Sequence, residues 1–219
     1  MRVVGTGDAL LDAQLPGGGW PVGALVEIVQ AQGVHSEWRL LLPALVAVGQ
    51  GAVLLVGPPQ LPFGPALAAQ GLAPARLVWV RAQSEPERLW AAEQALRCAG
   101  VDAVLAWLGP VRSEALRRLH IAAAEYQKLL FVMRPEVAQH TASPAVLRLG
   151  LAYMQEGAQG DALEVRLLKR RGPPLEQALS LRARAAPLAR LLLAARTQGM
   201  SRPGGTQKGG ADVLDCLTA

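Results

Sequence analysis

Gly23-Ala-Leu-Val-Glu-Ile-Val29 is the stretch on which the fold turns. It is entered through Pro16-Gly-Gly-Gly-Trp-Pro21 and left through Gln30-Ala-Gln-Gly-Val-His-Ser-Glu37. A short, nearly unbroken apolar run bounded by turn residues reads as a strand buried on both faces, and such strands belong to sheets covered by helices on both sides. Downstream, Ser36 to Gln50 reads as a helix with Ser36 as N-cap, and Pro43 is expected to kink it or stop it early.

The same alternation continues along the chain. Gly51-Ala-Val-Leu-Leu-Val-Gly57 is a second strand, followed by a proline-rich loop from Pro58 to Gly64. A short helix from Phe63 to Gln70 ends at Gly71. Leu77-Val-Trp-Val80 is a third strand. Glu85 to Ala99 is a helix capped by Ser84 with Pro86 in its first turn. Ala103-Val-Leu-Ala-Trp107 and Leu129-Leu-Phe-Val-Met133 are two further strands. Between them Ser113 to Lys128 sets Leu116, Leu119, Ala123 and Tyr126 on one helical face and Glu114, Arg117, Arg118, Glu125 and Lys128 on the other. Ala145 to Met154 and Ala162 to Lys169 flank a turn-like Gly157-Ala-Gln-Gly-Asp161. The pattern predicts an α/β fold: a largely parallel twisted sheet, helices on both faces, and an antiparallel hairpin at one edge. Pro187 to Gln198 reads as a last helix, and Ser201 to Gly210 has linker composition. The expected organisation is one domain over residues 1–199 and a flexible tail over 200–219.

Bulk composition narrows the function. A 51% hydrophobic share over 219 residues supports a full core, and a net charge of +5 suits an anionic partner such as nucleic acid. The apolar stretch from Leu40 to Val48 is broken by Pro43 and too short to span a bilayer. The first residues lack the basic start and apolar run of a secretion signal, so a soluble cytoplasmic protein with no membrane partner is expected. Two cysteines, Cys98 and Cys216, and the scattered His35, His120 and His140 form no metal or disulfide framework. Cys98 is expected to be a small buried helix residue.

Thr6-Gly7, Leu11-Asp12, Gly17-Gly18-Gly19, Pro21, Gly23 and Val26-Glu27-Ile28 stand in a recognisable order. This order resembles the entry to a RecA-like core. In particular, Leu15-Pro-Gly-Gly-Gly-Trp-Pro-Val-Gly-Ala-Leu-Val-Glu27 is similar to the opening of the ImuA family, RecA-like and SulA-like accessory proteins of bacterial mutagenesis. The resemblance implies a role in damage-induced (SOS) translesion DNA synthesis. The implied partners are an inactive Y-family polymerase homologue, an error-prone polymerase, RecA and DNA. A SulA-type inhibitor of the tubulin-like division protein is the alternative reading.

A functional RecA-like site needs phosphate-cradling glycines, a lysine on the β/γ-phosphates and a hydroxyl on Mg²⁺. Here the loop runs from Gln30 to Glu37, Gly33 is its one glycine, and Ser36 and Glu37 stand at the lysine and hydroxyl positions. Trp107 occupies the place of the Walker B aspartate. Gly57-Pro58-Pro59 stands at the catalytic glutamate, and Arg134 falls near the sensing glutamine. No ATP hydrolysis, no catalytic residue and no cofactor are therefore expected. Trp20 and Trp38 are expected to flank and fill the defunct site, while Trp79 and Trp107 are expected in the core.

Two further candidates remain. Lys169, Arg170 and Arg171 end a strand in a basic cluster that suits weak, non-specific phosphate contact, although a plain solvated strand end accounts for them equally. Val213, Leu214 and Leu217 recur at helical spacing beyond the linker and suit docking into an apolar groove of a partner.

Overall fold

The computed structural model describes residues 2–31, 33, 35–156 and 160–182. The last helix pattern (187–198), the linker, Cys216 and the candidate docking residues Val213, Leu214 and Leu217 lie outside the described residues, as does the tip of the 157–161 turn.

The chain enters through β1 (Val3–Val4), which pairs antiparallel with β2 (Trp20–Pro21) in a small separate sheet. Between them lies a short helix, α1 (Ala9–Asp12), capped by Asp8, whose side chain accepts from Leu10 N–H and Leu11 N–H. Asp12 reaches back to accept the Thr6 N–H at 2.8 Å. Gly7 adopts φ +80°, and a Cβ there would collide with the Pro43 ring. The Thr-Gly and Leu-Asp pairs of the opening motif thus hold the entry loop against the second helix.

The main sheet has eight strands in the order β10-β9-β8-β3-β7-β6-β4-β5. Its elements are β3 (Ala24–Gln30), α2 (Glu37–Ala47), β4 (Ala52–Val56), α3 (Gly64–Ala68), β5 (Leu77–Val80), α4 (Glu85–Arg97), β6 (Val101–Trp107), α5 (Ser113–Tyr126), β7 (Leu129–Pro135), β8 (Leu147–Glu156), β9 (Gly160–Lys169) and β10 (Leu179–Arg182). From β8 to β5 the strands run parallel. At the other end β8–β9–β10 is antiparallel. The expected hairpin is there, and β10 adds an edge strand that its short, mixed sequence did not signal.

Helices cover both faces. Leu40, Leu41, Leu45 and Leu67 of α2 and α3 pack on Val26, Ile28, Val53, Leu55, Leu105 and Phe131. On the other face Ala92, Leu96, Leu116, Leu119 and Ala123 of α4 and α5 pack on Leu25, Val56, Val104, Leu130 and Val132. The split follows the two-residue period of a strand, which sends neighbouring side chains to opposite faces. Among the described residues no helix is long and apolar enough to cross a membrane.

Several expectations need correction. Ser36 precedes α2 but has αR dihedrals and makes no side-chain capping bond. Pro43 does not stop α2 early, since the helix runs through to Ala47. Cys98 is exposed at the end of α4 rather than buried, because the chain leaves the helix there. Trp20 is fully buried and meets Phe131 edge-on, ring centroids 5.3 Å apart, so it belongs to the core instead of flanking the loop after β3 as expected. Trp38 packs on the same core. Trp79 is 37% exposed because β5 is the edge strand, with a neighbour on one side only.

Candidate functional site

Neighbouring strands β4 and β6 send their connections in opposite directions. β4 leads through α3 outward to β5, and β6 leads through α5 on the other face to β7. Parallel sheets bind ligands at such a reversal, outside the carboxyl ends of the strands. A cleft of about 840 Å³ opens there. Gln30 ends β3, Gly57 follows β4, Trp79 lies near the end of β5 and Arg81 follows it, Trp107 ends β6, and Met133 and Arg134 lie near the end of β7.

The loop after β3 is closed by its own side chains. Gln30 donates Nε2–H to Glu37 Oε2 at 2.8 Å, and His35 Nδ1 stands 3.8 Å from Glu37 Oε1. Glu37 is the first residue of α2 and is only 1% exposed, so its carboxylate lies where the positive end of the helix dipole favours an anion. Of the residues expected at a phosphate site, Gln30, Gly33 and Trp107 line the cleft, together with Pro58, Pro59 and Arg134. Glu37 is buried against Gln30, and Ser36 heads α2 without lining the cleft.

A second charged group lies beneath the cleft, on the opposite sheet face from Gln30. Glu27 is fully buried and accepts from Arg134 Nη1 at 3.1 Å and Arg148 Nε at 2.6 Å. β3 is flanked by β7 and β8, which bring these residues together, with Arg148 directly opposite Glu27. Arg148 also donates to the carbonyls of Ala138 at 2.7 Å and Thr141 at 3.1 Å, tying down the turn after β7. Sequence reasoning used Glu27 as a register mark and missed the triad. A charged residue inside an otherwise apolar strand run was the available signal, since such a charge needs a buried partner.

Four buried side-chain atoms of the cleft-lining residues have no hydrogen-bond partner: Gln30 Oε1, Glu85 Oε2, Trp107 Nε1 and Arg134 Nε. At the rim the Arg81 guanidinium lies 4.7 Å from the centroid of the Trp79 ring. Arg88 is held by Glu85 at 2.9 Å and by the Ala82 carbonyl. Gly57 has φ +61° and admits the Arg88 side chain, which a Cβ would strike.

The basic cluster lies at the other end of the sheet. Lys169 pairs across from Arg148, near the start of parallel β8, and so sits at the amino ends of the parallel strands. Its Nζ donates to the Ser143 carbonyl at 3.0 Å. Arg170 donates to the carbonyls of Pro173 and Gln14, both at 2.7 Å. Arg171 is exposed. Among the described residues no group of three or more His, Cys, Asp or Glu is arranged to hold a metal ion.

Over 128 residues the chain is 34% identical to Protein ImuA from two strains of Caulobacter vibrioides, NA1000 / CB15N and ATCC 19089 / CIP 103742 / CB 15. The alignment covers 55% of this chain and 52% of each relative. The chain thus spans about half the length of the curated relatives it matches. No family model matches it.

Proposed function

We propose that this chain is a non-catalytic accessory factor in damage-induced mutagenic translesion DNA synthesis, built on a RecA-like core whose nucleotide site is shut by its own residues. The similarity to Protein ImuA supports the biological role. The observation that carries the chemical part is the Gln30–Glu37 pair. A buried carboxylate at the head of α2 supplies the negative charge that a phosphate would otherwise bring. A triphosphate entering the loop would meet this carboxylate with no lysine to offset the repulsion. Trp107 at the end of β6 offers an indole where Mg²⁺ would need a carboxylate.

On this reading the protein works by assembly. Its partners are an inactive Y-family polymerase homologue, an error-prone polymerase and RecA, with weak non-specific DNA contact through Lys169 and Arg171. Titration with a fluorescent ATP analogue tests the closed site: Mg²⁺-dependent micromolar binding, lost on changing Glu37, would overturn it. Pull-down with the purified polymerase homologue tests the assembly role. Failure to capture it while the fold is intact would remove that role.

A further inference from the structure

We infer that the open edge of the main sheet at β5 joins two copies of this chain, strand against strand, in a twofold dimer. This goes beyond the accessory role and does not depend on it. β5 pairs with β4 alone. The Val80 carbonyl accepts from Gly57 N–H, so it points toward β4. A trans peptide turns its N–H opposite to its carbonyl, and the backbone groups of a strand alternate between its two sides. The Leu77 carbonyl, both backbone groups of Trp79 and the Arg81 N–H therefore point away from the sheet. Among the described residues none of them has a hydrogen-bond partner. The Leu77 N–H is already donated to the Pro74 carbonyl. Such a row of outward groups is a template for another strand. Sheet edges are normally blunted by charge, proline or a covering segment. The opposite edge obeys this rule: β10 ends on Arg182, whose carbonyl is taken by Arg39 Nε at 2.8 Å. Leu77-Val-Trp-Val80 has neither charge nor proline, and Val78 and Trp79 are exposed.

The free groups are those that antiparallel self-pairing uses. With the twofold axis at Trp79, its N–H and carbonyl meet the same groups of the second copy. The Arg81 N–H meets the second copy's Leu77 carbonyl, and the one donor left out is the one that Pro74 has taken. Side chains match in the same register, since residues directly opposite share a face. Trp79 falls beside Trp79 on the face of Leu77, which packs with α2 and α3. Val78 falls beside Val80 on the other face, which packs with α4 and α5. Arg81, whose guanidinium lies over the Trp79 ring, falls opposite Leu77. The two Arg81 side chains thus sit at opposite ends, and no like charges face each other. Further apolar surface borders the strand. The loop from Gly57 to Phe63 runs alongside it: Pro58 and Pro59 line the cleft with Trp79, and Gly64, next to Phe63, stands against Pro74 at the entry to β5. Leu61 and Phe63 are exposed on that loop. With Val78 and Trp79 they offer on the order of 400 Å² of uncovered apolar side chain per copy. Adding the paired backbone brings the total to about 1,000 Å², enough for a specific but reversible dimer.

Sedimentation velocity of the full chain over a range of concentrations tests the dimer. A monomer–dimer equilibrium with a Kd on the order of 10 µM is the expected result. Trp79→Lys sets two ammonium groups side by side across the axis and should raise the Kd more than about tenfold. Trp90→Lys, an equally drastic change at an exposed tryptophan on α4, should leave the Kd as it is. Melting curves confirm that both variants are folded. A disulfide reads the register without removing Trp79. In a Cys98→Ser, Cys216→Ser background, Val78→Cys chains mixed with Val80→Cys chains should oxidise to a covalent dimer that neither gives alone, because opposite residues in such a pair stand within disulfide reach. The inference is overturned by any of three results. The first is a parent chain that stays monomeric throughout, which leaves the edge to a strand from another protein. The second is a dimer that folded Trp79→Lys forms as tightly as the parent does. The third is a dimer in which the mixed cysteine chains do not crosslink.

Discussion

Gln30 donates an Nε2 hydrogen bond of 2.8 Å to the Glu37 carboxylate, and both side chains are buried. The bond spans the loop between β3 and α2. It joins the end of a central strand to the first turn of the next helix. Both side chains are thereby spent within the fold.

Removing the donor should therefore destabilise the protein. Gln30→Ala leaves a buried carboxylate short of a hydrogen bond, a loss of about 1–3 kcal/mol. Gln30→Glu should cost more, since it sets two carboxylates together. Urea denaturation of the two variants measures both, and equal stability of Gln30→Ala and the parent would show that the pair is dispensable.

Glu27 should be more costly to change. Its charge answers Arg134 and Arg148 in a layer without solvent. Glu27→Gln leaves two buried guanidinium groups without a counter-charge, and breaking a buried pair by removing one member costs about 3–5 kcal/mol. The same denaturation series reads this as a large fall in the urea midpoint with an unchanged slope.

His120 makes stability depend on pH. Its Nδ1 accepts the Leu25 N–H at 3.1 Å, which requires that nitrogen to be unprotonated. Burial first, and the Arg117 charge second, hold its pKa below the ordinary 6.5. Below about pH 6.5 the unfolded chain then binds more protons than the folded one. The contribution is whole above that value and is lost as pH falls toward the depressed folded pKa. His120→Gln keeps an acceptor and does not titrate, so melting temperatures taken from pH 7.5 down to 5 should fall less steeply for the variant.

The basic cluster should divide by residue. Arg170 is spent on the carbonyls of Gln14 and Pro173, so Arg170→Ala should lower stability by about 1–2 kcal/mol. Arg171 is exposed, and Lys169 holds one carbonyl. If they meet phosphates, Lys169→Ala and Arg171→Ala should each reduce the log–log salt slope of DNA binding by about one. A slope unchanged in both variants returns the cluster to a solvated strand end.

Truncation after Met200 tests the tail. Loss of polymerase-homologue capture with an unchanged melting transition assigns docking to the segment bearing Val213, Leu214 and Leu217. Undiminished capture assigns it to the core.

The sequence by itself determined what is local. Apolar runs and turn residues located β3 to β7 and their helices, down to the Ser84 cap of α4, which the structure completes as a capping box with Glu87. The loop from Gln30 to Glu37 was equally legible as the connection between β3 and α2, because a turn-rich stretch between an apolar run and a helical pattern is a local signal. Strand order was not legible, and much follows from it. Trp79 and Trp107 both sit in short apolar strands, yet Trp79 is exposed because β5 lies at the edge, and Trp107 is buried because β6 lies between β4 and β7. The Glu27 triad joins residues 107 and 121 positions apart, and only the placement of β3 between β7 and β8 brings them within reach. Periodicity reports which face of a strand is apolar. It carries no information about which strand is the neighbour, because that choice is made by packing the whole chain at once.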